Sequence, residues 1–181
     1  MTNTLAQWHA EHVNFAKLLD ILEAQLDLLH RGDSPHYELM QDIMFYMTHY
    51  PDIVHHPLED VAFARIKVRE QSAAATIDEL TKQHLQLHKL GDDLVRSLGD
   101  IVNGSIALRA SVEGPARTYV QTLRNHMDIE ETKILPMAEK LLSGADWTAI
   151  TKAVEHFEDP LFGRNTAKQY AAIQEHLARV A

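Results

Sequence analysis

From Leu5 to Leu29 the apolar residues recur in steps of three and four without a miss: Leu5, Trp8, Phe15, Leu19, Leu22, Leu26 and Leu29, with His12 filling the remaining place. Such a stripe marks one face of a long α-helix and needs another helix to cover it. Two later stretches repeat the pattern. Ile77, Leu80, His84, Leu87, Gly91, Leu94, Leu98 and Ile101 form one, and Tyr119, Leu123, His126, Glu130, Ile134, Met137 and Leu141 the other. Breaks are few, at Arg31–Pro35, Gln71–Ala75, Asn103-Gly104, Ser143–Asp146 and Asp159-Pro160, and the segments between them are rich in good helix formers. The sequence therefore predicts helices over 3–30, 36–69, 75–102 and 106–142, then shorter ones over 146–157 and 164–179. Gly114-Pro115 either starts a fresh helix or interrupts the fourth. Four long helices with short connections imply an all-α, up-down antiparallel four-helix bundle over 1–142. Residues 143–181 are expected as a helical extension, packed on the bundle or forming the contact of a homodimer.

Composition removes several chemistries. With no cysteine in 181 residues, disulfides, thiolate catalysis and iron–sulfur ligation are excluded, so any metal must sit on nitrogen and oxygen. A net charge of −9 argues against nucleic acid as a partner. The chain opens on no basic-plus-apolar leader and carries no apolar run of membrane-spanning length, so a cytoplasmic protein without membrane contact is expected.

The polar intruders in the stripes carry the functional signal. His12, His84, His126 and Glu130 stand at seam positions, and His88 follows His84 by one turn. A lone seam histidine is usually a hydrogen-bonded core residue. A buried carboxylate without a partner costs several kcal/mol, however, and no lysine or arginine shares these positions. A metal cluster accounts for the joint pattern. Helix 36–69 offers two competing pairs, His55/Glu59 and His56/Asp60, which diverge by about 100° and cannot both face one point. Ala62, Phe63 and Ile66 continue the stripe better from His55/Glu59, but spacing alone leaves both open. Pro57, lacking an N–H for the Ile53 carbonyl, should bend the helix there. Gly91 within a seam suggests close approach by a bulky neighbour.

Glu11-His12, His55-His56-Pro57-Leu58-Glu59-Asp60, Gln83-His84 and the run from His126 to Pro136 resemble the hemerythrin-like family, or HHE cation-binding domain. The resemblance covers residues 5 to about 140. It implies a four-helix bundle holding two non-haem irons on histidines and bridging carboxylates. It also selects His55 and Glu59 over their neighbours. The implied ligands are His12, His55, His84, His88 and His126, with Glu59 and Glu130 as bridges. The family's oxygen carriers have a pair like His84-x-x-x-His88, although His88 lies off the strict seam.

Nitrogen and carboxylate donors suit iron, and manganese or zinc as well. Two octahedral metals offer about twelve positions. Five histidines, two bridging carboxylates and one bridging oxygen fill about eleven, leaving one for a diatomic ligand; without His88 about two remain. The leading expectation is a binding protein, rather than a dedicated enzyme, that takes O2, NO or a related small oxidant at an open iron. The alternatives are an iron-centre repair or peroxide- or NO-detoxifying enzyme, and a metal-free helical interaction module. Of the remaining histidines, His9 is expected at the surface or beside His12, and His49 and His56 as hydrogen-bond partners of ligand carboxylates. His30, His36, His156 and His176 read as surface or capping residues. Met40, Met44 and Met47 read as helical core, and Trp147, Ile150, Val154 and Phe157 as the apolar face of an amphipathic helix.

Overall fold

The computed structural model describes residues 3–155, 157–164 and 166–180, so His156 lies outside the described residues. These residues are all-helical, with no strand among them. Helix α1 spans Asn3–Arg31, α2 Tyr37–Tyr50, α3 His56–Arg69 and α4 Ala74–Val102; α5 (Arg109–Ile129), α6 (Leu135–Leu141), α7 (Gly144–Thr151) and α8 (Ala171–Val180) follow. A five-residue π-helical turn, Pro51–His55, joins α2 to α3 without a break, and another, Glu130–Ile134, joins α5 to α6. The segments predicted over 36–69 and 106–142 are thus each two helices run together through a wide turn.

Helix α1 packs against α2 and α5, and α4 packs against the same two. Side-chain pairs show the directions. Asp27, Asp20 and His12 meet Arg117, Arg124 and Glu131 in that order, so α1 and α5 run oppositely. Likewise His36 meets Gln25 while Tyr50 meets Glu11, which sets α2 against α1. Gly32 (φ 88°) and Gly104 (φ 93°) end α1 and α4 in the left-handed conformation that glycine adopts without steric cost.

Every member of the α1 stripe is buried, and so are the α4 positions from Ile77 to Leu98. Met40, Met44 and Met47 belong to the larger of two apolar clusters, which runs from Phe15 to Leu29 and across to α4 and α5. A smaller cluster around Trp8, Phe63, Leu80, Ile134 and Trp147 closes the other end. Trp147 and Ile150 of α7 sit in this second cluster, while Leu161, Tyr170 and Ile173 join the first. Helix α7 begins on a capping box between Ser143 and Asp146 and stops at Thr151, short of the predicted 157. Val154 is therefore only half-buried and Phe157 exposed, so the amphipathic face extends no further than Ile150. Helix α5 runs through Gly114-Pro115; the hydrogen bond that Pro115 forgoes falls near the helix's exposed start.

Gly91 is where α2 and α4 come closest. A Cβ there would run into the Thr48 side-chain methyl, on the buried face of α2. Gly91→Ala gains up to about 1 kcal/mol of helix propensity. Forcing the helices apart costs about 1–3 kcal/mol. A net loss of stability in urea unfolding is expected, and a stabilised variant would contradict this close approach.

Candidate metal centre

Between the two apolar clusters, four helical segments turn polar groups inward. His12 comes from α1, His55 from the end of the first wide turn, His56 and Glu59 from α3, His84 from α4, His126 from α5 and Glu130 from the start of the second wide turn. All seven are buried. The histidines form two pairs: Nε2 of His12 lies 3.0 Å from Nε2 of His55, and Nε2 of His84 lies 3.0 Å from Nε2 of His126. Glu59 and Glu130, both at 0% exposure, lie between the pairs. Glu59 Oε1 is 3.2 Å from His55 and 3.6 Å from His12, while its Oε2 is 3.7 Å from His84. Glu130 Oε2 is 3.4 Å from His12, and its Oε1 is 3.0 Å from His126 and 3.9 Å from His84. Each carboxylate thus turns one oxygen to each pair.

None of these four carboxylate oxygens has a hydrogen-bond partner among the described residues. Burying such groups unsatisfied is expensive, and a cation between the pairs is the chemistry that would satisfy them. The spacing agrees: two imidazoles bound cis to one ion at about 2.1 Å have nitrogens about 3.0 Å apart. Two overlapping donor groups fit a metal, His12/His55/Glu59 and His56/Glu59/His84/His126.

Each inward ring is aimed by a bond from its other nitrogen. His55 Nδ1 donates to Glu11 (2.6 Å), His12 to Glu131 (2.8 Å), His84 to Asp60 (3.0 Å), His126 to Gln83 (3.0 Å) and His56 to Asp52 (2.9 Å). Tyr50 donates to Glu11 in turn (2.8 Å), and His9 to Glu131 (3.0 Å). Such outer acceptors fix the tautomer that presents Nε2 inward and raise its basicity.

Charge is distributed accordingly. Burial opposes a proton on His12, but Glu131 and Glu59 raise its pKa to about 9. Burial likewise opposes charge on His55, yet Glu59 and Glu11 hold it well above the ordinary range. Burial alone would raise Glu59; His55 and His12 instead hold it well below its usual value. His56 differs: burial pushes it down to about 4, and Asp52 only partly offsets that, so it is neutral at pH 7. A histidine that binds metal must shed its proton, so at a centre that includes His12 metal would compete with protons. Apparent Zn2+ affinity is therefore expected to fall about tenfold per pH unit below 9 for each proton displaced. Calorimetric titration at pH 6.5 and 7.5 checks this; equal affinities would refute it.

The structure brings six of the seven sequence candidates together and leaves His88 apart. Its side chain is 55% exposed, and its Nδ1 donates to Asp52 at 2.8 Å. One turn beyond His84 on α4, it faces the helix flank rather than the seam. His56, which spacing leaves open as an inward residue and the resemblance sets aside as a hydrogen-bond partner, stands beside the His84/His126 pair, with its ring stacked on His84 at 4.2 Å. The divergence of His55 and His56 excludes a single focus, but the donors have two. His49 points away and donates to the Phe45 carbonyl. His30 is exposed beside Glu113, His36 caps α2, and His176 is half-buried.

The wide turns also left a trace in the sequence. Met47, Pro51, His55, Glu59 and Phe63 are all buried at steps of four, as are His126, Glu130, Ile134 and Ala138. On a regular helix each such step drifts about 40°, so a long run of them leaves the buried face. One extra residue per turn, closed by His56 N–H to the Pro51 carbonyl and Leu135 N–H to the Glu130 carbonyl, cancels the drift. Pro57, where the sequence predicts a bend, lies just after the first wide turn.

Residues 3–138 match the family model of the hemerythrin HHE cation-binding domain. No curated protein and no solved structure matches the chain.

Proposed function

Because the chain belongs to the hemerythrin HHE cation-binding domain family, we propose that its cage holds two non-haem irons and takes O2, NO or a related small oxidant at an open iron position. The observation that carries this reading is the set of four unpartnered oxygens of Glu59 and Glu130, each turned to a histidine pair. His12 and His55 would hold one ion, His84 and His126 the other, with Glu59 and Glu130 bridging and neutral His56 as the fifth imidazole. The antiparallel side-chain pairings support an up-down four-helix bundle around that cage. Burial of Trp147, Ile150 and Ile173 supports reading residues 143–181 as an extension packed on it.

Bound iron would supply reversible redox chemistry and a vacant position for a diatomic ligand. The chain's own residues do the rest. Glu11, Glu131, Asp60, Gln83 and Asp52 hold five rings in place, and Trp8 and Phe15 keep water from the first pair.

The test is metal analysis after aerobic purification, with absorption spectra before and after azide. About two irons per chain and azide-sensitive charge-transfer bands are expected; no metal after anaerobic Fe(II) reconstitution would sink the proposal. The same measurement decides between iron, manganese and zinc. The exposure of His88 favours keeping a second reading, an iron-centre repair or peroxide- or NO-detoxifying enzyme: should His56 stand by without binding, four imidazoles leave a second open position. That reading requires iron that a chelator strips within minutes.

A further inference from the structure

A groove of about 460 Å3 runs between the first wide turn with α3 and the flank of α4, and it descends to His84 of the second histidine pair. Its floor is His56 and His84, both more than nine-tenths buried, and its walls carry Asp52, Asp60, His88 and Asp92. No lysine or arginine lines it. At the first pair, Trp8 and Phe15 pack edge-on against His55 and Trp147 packs on Trp8.

The polar groups of the groove form a graded series from solvent inward. His88 Nε2 lies 3.6 Å from Asp92, and its Nδ1 donates to one oxygen of Asp52 at 2.8 Å. The other oxygen of Asp52 accepts from His56 at 2.9 Å, and His56 stacks on His84. Beneath them lies Glu59 with both oxygens unpartnered. A hydrated divalent cation gives up its water stepwise most easily where carboxylates and imidazoles replace it one at a time. A cleft lined by one sign of charge also raises the local concentration of the opposite ion.

We propose that this groove is the loading port through which a divalent cation reaches the buried cage, with His88 and Asp92 as the entry donors and Asp52 as the hand-over group. The proposal rests on the metal reading above. It gives His88 a role in delivery rather than in final coordination.

The experiment is stopped-flow uptake of Co2+ by the metal-free full-length protein, read from the visible absorption of the bound ion. His88→Ala/Asp92→Asn should slow uptake about tenfold and weaken its dependence on ionic strength. The final Co2+ content and spectrum should match the unmodified protein. Asp100→Asn, an equal charge loss at an exposed position further along α4, should leave the rate unchanged. Equal uptake rates in all three proteins would overturn the port. A changed final spectrum or lower content in the double variant would also overturn it, by making His88 or Asp92 a ligand. Failure of every protein to take up Co2+ would instead remove the metal reading, a distinguishable result.

Discussion

Glu130→Ala is expected to cut the metal content of the proposed two-ion cage to one or none, and with it most of the stability that bound metal would confer. An ion that binds only the folded chain stabilises it by about 4 kcal/mol at a thousandfold excess over Kd. Glu130 offers one oxygen to His126 and the other to His12, so its loss strips a donor from both pairs at once. The variant's metal-free form should still fold, because the cluster from Phe15 through Leu98 to Leu123 does not include the cage. Thermal unfolding with metal and with chelator measures both statements. Two retained ions and an undiminished metal-linked rise in Tm would show that Glu130 is no bridge. A metal-free interaction module predicts something else again, no difference between metal and chelator in the unmodified protein.

The second large effect is expected at Trp8. It is 1% exposed, edge-on to His55 at 6.4 Å and to Trp147 at 5.9 Å, and so couples α1, the cage and α7. Trp8→Ala leaves a cavity that these neighbours cannot fill, at a cost of about 3–5 kcal/mol. It should also admit water to the first histidine pair and speed the chelator-driven loss of an ion bound there. An unfolding free energy in urea within about 1 kcal/mol of the unmodified protein's would mean that the neighbouring apolar groups collapse into the space.

Much of this arrangement was legible in the sequence because burial leaves a periodic record. The α1 stripe named His12 by its phase alone, and the α4 and α5 stripes named His84, His126 and Glu130. His55 and Glu59 needed a family resemblance, since a neighbouring pair had the same spacing. Spacing alone does not pick out His56, because a single focus admits only one of two adjacent rings, whereas the donors gather about two. His88 lies apart because one helical turn from a seam residue is near the seam but not in it, and Asp52 holds the ring at the flank. Helix α7 ends early for a cause that apolar spacing does not report. Once Trp147 and Ile150 are buried, the chain turns away.

The wide turns have a bearing on chain length. Each holds one residue more than a regular helix of the same reach requires. Removing one residue at Ile53, which is 59% exposed, would leave the apolar faces on either side of it in phase. Removing one from the middle of α2 or α3 would instead turn every following side chain by about 100°. Within the two long helical segments, tolerance to deletion should therefore be confined to these short windows.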